Sequence, residues 1–241
     1  MKKVVISQSM YFPWVGLLEQ IALADVFVHY DDVQFTRGFY NRVQIKTPHG
    51  TPWITVPTKD YHRGQNIDSV QIDYTSNWGD SHRESLKQAY SKAPFLSDML
   101  RVYDSVIQDK GPTIADVSRA SMLAVVKYLK IGTPCEFLDS KTMNVPGAST
   151  KRLLDIVKAV AGDVYVTGHG AKNYLEHEAF EAAGVRVEYM DYQRLPYPQL
   201  NGPFIPYVSS LDLIANCGRE GRKYIVSKSK YWKEFLNDSS R

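Results

Sequence analysis

The side chains that could do chemistry crowd into the first quarter of this chain. Between Gln8 and Thr58, the polar and charged residues Gln8, Asp31, Asp32, Gln34, Asn41 and Arg42 stand among the rings of Tyr11, Phe12, Trp14 and Trp53. Those polar groups flank apolar runs such as Val4-Val5-Ile6 and Val26-Phe27-Val28, where burial without partners is costly. A ligand would supply the partners. Each ring alone is an ordinary core residue, and Pro13 followed by Gly16 is a common exit from a strand into a helix. In combination they suit a sugar or nucleotide. Tyr11, Trp14 and Trp53 can stack on a ring, Arg42 can grip a phosphate with two parallel hydrogen bonds, and Asp31 or Asp32 can take a proton.

A second group lies late in the chain, in Thr167-Gly168-His169-Gly170-Ala171-Lys172-Asn173. Its glycines let a ligand approach the backbone, the N-terminus of a following helix would offer free N–H groups, and Lys172 adds a positive charge. The run therefore reads as an anion cradle or simply as a connecting turn. It lacks the spacing of a Walker A loop. His169 falls where a strand ends, the place at which open α/β sheets hold ligands, and could serve as base for an amine nucleophile or merely pack against the turn. The other histidines show no spacing that suits zinc. His29 with Asp31 could hold Mg²⁺ beside a phosphate, or Asp31 and Asp32 could end a strand in solvent.

The elements that would position these groups follow from periodicity. Lys3 to Gln8 and Val26 to Tyr30 read as buried parallel strands, and Trp14 to Leu23 as the amphipathic crossover helix between them. Trp53 to Thr58 and Val70 to Asp73 look like shorter strands. Trp78 to Ser91, Phe95 to Lys110 and Thr113 to Leu129 read as helices, with Gly111 and Pro112 dividing the last two. The strand pattern resumes near Glu136. Ser149 or Thr150 can cap a helix through Ala161, and Val164 to Thr167, Tyr174 to Ala183 and Val185 to Tyr189 follow as strand, helix and strand. The expected fold is α/β, a mainly parallel Rossmann-like sheet built from the N- and C-terminal parts, with residues 78–130 as a helical insertion in one domain spanning 1–241.

Composition bounds the partners. Lys and Arg are spread along the chain and the net charge is only +3, which argues against stable nucleic-acid binding. The basic C-terminal residues Lys223, Lys228, Lys230 and Lys233 read as solvated surface rather than a contact for anionic lipid or tRNA. No stretch approaches the roughly 20 apolar residues of a membrane span, nor does a signal peptide open the chain, so a cytoplasmic protein is expected. Cys135 and Cys217 read as reduced core thiols.

The motifs Gln8-x-x-Tyr11-Phe12-Pro13-Trp14-x-Gly16, Asp31-Asp32-Val33-Gln34-Phe35, Asn41-Arg42-x-x-Ile45, Trp53-x-Thr55-x-Pro57 and the late Tyr207-x-Ser209-x-Leu211-Asp212-Leu213 with Asn216-x-Gly218 together resemble the WbqC-like protein family, in order along nearly the whole chain. That family is associated with O-antigen and related surface polysaccharides. The resemblance implies a transferase that adds a glycyl, acyl or aminoacyl group to an amino sugar, itself nucleotide-linked. It brings no catalytic residue to map. The opening strand, turn and helix are also similar to nucleotidylyltransferases and class I synthetases, but their His-x-Gly-His signature is replaced here by Phe12-Pro13-Trp14-Val15-Gly16. On this reading Gln8, Tyr11, Trp14, Gln34, Asn41, Arg42, Trp53, Gly168, Gly170 and Lys172 would bind substrate, and His169, Asp31 or Asp32 would act on protons. The donor would be an activated acyl or aminoacyl carrier such as acyl-CoA or aminoacyl-tRNA, with a Mg-nucleotide as a further cofactor option. A noncatalytic sugar-binding or scaffold protein and an ATP-dependent amino-acid ligase stay open as alternatives.

Overall fold

Branched residues in short runs become strands where a sheet is covered on both faces. The computed structural model describes residues 1–109, 111–132 and 134–238. Along the chain, β1 (Lys3–Ser7), α1 (Val15–Leu23) and β2 (Val26–His29) form the expected opening unit, followed by a hairpin of β3 (Arg42–Gln44) and β4 (Trp53–Thr55). Three helices come next, α2 (Trp78–Ala89), α3 (Leu96–Ile107) and α4 (Ile114–Leu129). The sheet then resumes with β5 (Glu136–Asp139), α5 (Ser149–Ala159), β6 (Val164–Thr167), α6 (His177–Ala182) and β7 (Arg186–Met190). Finally come α7 (Ser210–Cys217), β8 (Ser229–Tyr231) and α8 (Trp232–Asp238).

The main sheet has the order β5-β2-β1-β6-β7-β8, parallel except for β8 at its edge. This is a Rossmann-like α/β fold, with the strand order reversing between β1 and β6. Val5 lies opposite Phe27 and Val166, and all three face a core shared with α1, α3 and α4. The alternate residues Val4, Ile6, Val28, Tyr165 and Val187 face a second core with α5 and α6, where Tyr165 stacks on Phe180 at 5.2 Å. The helices of the 78–130 region thus pack on one face of the sheet.

Some local expectations change. Val70 to Asp73 is not a strand: a 3-10 turn covers Ile67–Ser69. Beyond it, the chain pairs only through isolated bridges, Thr58 with Ile72 and Gln71 with Thr113. The apolar residues there are buried because Ile72 N–H bonds Pro112 and Asp73 N–H bonds Pro57, so coil satisfies the amides that a ladder would. The strand at Trp53 stops at Thr55. Helix α5 begins after Ala148 without a side-chain cap, and Thr150 Oγ1 instead accepts from Glu176 N–H at 3.1 Å. The expected helix end at Lys110 lies outside the described residues.

Two arginines fasten the sheet's C-terminal ends to the helices through three ion pairs. Arg119 on α4 donates from Nε to the fully buried Asp31 at 2.6 Å and from Nη1 to Asp139 at 2.5 Å, joining the ends of β2 and β5. Arg152 on α5 bonds Asp32 and lies over the ring of Tyr30 at 4.9 Å. Replacing Arg119 with Met should leave Asp31 charged and unpaired, lowering stability by about 3–5 kcal/mol in urea unfolding. A loss under 1 kcal/mol would show that Asp31 does not depend on it.

Candidate functional site

A cleft of about 390 Å³ opens where the strand order reverses, above the C-terminal ends of β1 and β6. Its lining includes Gln8, Trp14, Gln20, Tyr30, Thr167, Gly168, His169, Gly170, Tyr174 and Tyr192. Open α/β sheets bind ligands at this position because the two flanking connections leave in opposite directions.

Trp14 reaches the cleft through a strained turn. Phe12 takes a left-handed φ of 41° just before Pro13, a conformation costing roughly 1–3 kcal/mol for a bulky residue. Ser121 and Ser209 hold it. Phe12 N–H donates to Ser121 Oγ at 2.8 Å, Ser209 Oγ donates to Phe12 O at 3.0 Å, and the Phe12 ring stacks on Tyr103. The chain then turns Trp14 back over the first turn of α1, between Tyr192 at 5.1 Å and Tyr207 at 5.3 Å. Gly16 leaves the room, since a Cβ there would overlap the six-membered ring of Trp14.

Tyr192 follows β7 and closes the opposite wall. Its hydroxyl accepts from Gln20 Nε2 at 2.7 Å, leaving its own proton free to donate, and burial pushes its pKa up to about 12. A Cβ at Gly168 would sit 3.1 Å from that hydroxyl, so the glycine permits the approach. His169 is exposed in the cleft wall, beside Tyr192 and Phe235 at 5.1 and 4.8 Å. Its Nε2 lies 2.7 Å from the carbonyl of Met190. A carbonyl only accepts, so Nε2 carries a proton, and in the neutral ring the lone pair falls on Nδ1.

The cleft therefore gathers Gln8, Trp14, Gly168, His169 and Gly170 from the residues the sequence singled out, and leaves the others elsewhere. Tyr11 is fully buried against Phe12, Trp78 and His82 and offers no face to a ligand. Gln34 is exposed and bridges Asn66. Asn41 and Arg42 line a separate hollow, and Trp53 stands 39% exposed on β4 beneath the Arg42 guanidinium. Lys172 points outward on a 3-10 turn spanning His169–Asn173. That turn, rather than an α-helix, follows β6, so the expected helix N-terminus does not form there. The basic C-terminal residues are partly neutralised, Lys230 by Asp191 and Asp238 and Lys233 by Glu181.

Asp31 and Asp32 are spent on structure. Asp31 accepts from Ser9 N–H at 2.8 Å, Ser9 Oγ at 2.7 Å and Arg119, while burial raises its pKa. Burial would raise Asp32 also, but bonds from Arg152 and Ser140 outweigh it and hold that carboxyl below its ordinary range. His29 completes a Ser-His-Asp group in which Ser9 stands in the middle. Ser9 Oγ donates to Asp31, so it must accept from His29 Nδ1 at 2.9 Å. A nucleophilic serine needs the reverse polarity, donating to a histidine held by the acid. Burial lowers His29 to about 4, with Arg119 adding to the effect, so its ring is neutral. His29 and Asp31 thus meet through a hydroxyl rather than as metal ligands. Among the described residues no group of three His, Cys, Asp or Glu side chains converges as a metal site.

Sequence reasoning missed Gln20, Tyr30, Tyr174 and Tyr192 in the cleft. Gln20 carried a signal: it lies one helical turn beyond Gly16, on the face turned toward the strand ends. Tyr192 carried none, lying in an irregular segment after β7. Beneath that segment the side chain of Glu19 is fully buried. Burial pushes its pKa from 4.5 up to about 7, while the amides of Gln193 and Arg194 and the charge of Arg194 pull it partly back and Asp191 adds to the rise.

Gly16→Ala should displace the Trp14 ring, changing tryptophan fluorescence and costing about 1–3 kcal/mol of stability. An unchanged spectrum would mean the ring is not confined there. For Glu19, folding favours the protonated carboxyl, so its contribution is complete below pH 4.5 and is lost as pH rises to about 7. Glu19→Gln should match the parent's stability in acid and exceed it increasingly across that window, as followed by melting temperature. A constant difference would contradict the raised pKa.

Among the described residues no helix is long and apolar enough to cross a membrane. No solved structure matches the chain. The uncharacterized protein Rv1507c of Mycobacterium tuberculosis is 35% identical over 229 residues, covering 93% of this chain and 98% of that protein. The motifs that build the Trp14 turn and the strand ends lie inside the region that the WbqC-like protein family model matches, residues 8–224, and the chain belongs to that family.

Proposed function

We propose that the chain is a transferase that places an acyl or aminoacyl group, glycyl among them, on the amino group of a nucleotide-linked amino sugar during surface-polysaccharide assembly in the cytoplasm. The observation that carries the reading is the pairing of a base and an acid in one cleft. The Nε2 bond to Met190 sets the tautomer of His169 so that its neutral ring offers Nδ1 as the base, and Tyr192 has a hydroxyl proton left free by the bond from Gln20.

The sugar lies against Trp14 and Tyr192, with Gln8, Tyr30 and Tyr174 available to its hydroxyls. The neutral amine attacks the carbonyl of an activated donor, acyl-CoA or aminoacyl-tRNA. As the N–C bond forms, His169 Nδ1 takes the amine proton and Tyr192 donates to the developing oxyanion. The bond to the carrier then breaks, its electron pair leaving with the carrier, and His169 returns the proton to that leaving group. A Mg-nucleotide is needed only if the acyl group arrives unactivated.

The test incubates the protein with nucleotide-linked amino sugars and glycyl-tRNA, acyl-CoA, or glycine with ATP, and follows the sugar's mass. One acyl unit should be gained with one donor. His169→Asn should lower kcat by about 10²–10⁴ with little change in KM. Full activity in that variant would remove His169 from the mechanism. Binding of the sugar with no turnover under any donor would replace the transferase with a noncatalytic binding protein.

A further inference from the structure

A hollow of about 320 Å³ lies beside the β3–β4 hairpin and shares no lining residue with the cleft. Phe35, Arg37, Asn41, Arg42, Thr55 and Thr58 contribute to it, with Val56 and Pro57, and no acidic residue does. Arg42 lies over the Trp53 ring, its guanidinium carbon 4.4 Å from the ring centroid, with its Nε buried and without a hydrogen-bond partner. Among the described residues no carboxylate pairs with Arg42 or Arg37. A guanidinium held rigid, partly dehydrated and without a counterion is arranged for an oxyanion. Thr55, directly opposite Arg42 in the hairpin, adds a hydroxyl.

Asn41 narrows the chemistry. The residue is only 5% exposed; its Nδ2 donates to Val56 O at 2.9 Å, while Oδ1 is buried without a partner. Exchanging the amide's O and N would set oxygen against the Val56 carbonyl, so the bond to Val56 fixes Oδ1 as the free end. That oxygen requires a donor and would repel an anionic oxygen. A ligand that satisfies it would carry an O–H or N–H close to its anionic group. Two cations suit the double charge of a phosphoryl group better than the single charge of a carboxylate.

We propose that this hollow binds a sugar phosphate, with Arg42 and Arg37 on the phosphoryl oxygens and Asn41 Oδ1 accepting from a ring hydroxyl or amino group. The choice of a sugar rests on the transferase reading. The need for an anion with an adjacent donor does not.

Calorimetric titration with glucose 1-phosphate, inorganic phosphate and glucose tests it. Saturable binding of glucose 1-phosphate, weaker binding of phosphate and none of glucose are expected. Arg42→Lys keeps the charge but loses the fork, and should weaken glucose 1-phosphate binding about tenfold or more. Arg37→Ala, at an exposed position, should weaken it severalfold and melt like the parent. His169→Asn should bind as the parent does, and binding by a parent protein that transfers no acyl group with any donor would remove the transferase and leave this site standing. Equal affinity for phosphate and glucose 1-phosphate would overturn the sugar assignment. Absence of saturable binding, or parental affinity in both arginine variants, would overturn the site.

Discussion

The carboxylate of Asp31 is the point on which the rest of the structure hangs. It has no exposure to water, and it accepts from the backbone and hydroxyl of Ser9 and from Arg119. Those bonds join the loop leaving β1, the end of β2 and helix α4 at one buried charge. Arg119 carries the connection on to Asp139 at the end of β5. A buried pair contributes little net attraction after desolvation, but removing one partner is severe, so the arrangement specifies geometry more than it adds stability. The geometry in question is the position of the β1 exit, which bears Gln8 and leads into the Phe12 turn.

From that exit the cleft is assembled by close approach rather than by long side chains reaching inward. Gly16 admits the Trp14 ring and Gly168 admits the Tyr192 hydroxyl. Gln20 and Met190 then fix hydrogen-bond direction, one leaving a proton free on Tyr192 and the other setting the neutral His169 ring with Nδ1 as its acceptor. In the proposed mechanism, the two acting atoms would owe their orientation to neighbours that never need to touch a substrate.

The sheet was legible in the sequence because its strands are covered on both faces, and Val4-Val5-Ile6 and Val26-Phe27-Val28 advertise that in branched residues. Of the hairpin only the strand from Trp53 was, since β3 is three residues long, too short for alternation to show. Val70 to Asp73 misled because burial in coil leaves the same apolar signature as burial in a sheet. A part of the candidate site was readable where residue type alone was unusual, as at Gln8, Trp14 and His169. The roles of Asp31 and Asp32 were not, because their partners Arg119 and Arg152 sit on distant helices where an arginine reads as surface. Tyr11 shows the converse: a ring within a polar motif that the fold uses purely as core.

Phe12 has a wider consequence. Its backbone angle would be relieved by glycine, while its ring is required to fill the space against Tyr103 and Tyr11. No natural amino acid meets both demands, so the position is a compromise that substitution in either direction makes worse. A saturation library at this residue would therefore find a single isolated optimum, and lineages sharing this turn would be held to phenylalanine by geometry even after the chemistry of the neighbouring cleft had diverged.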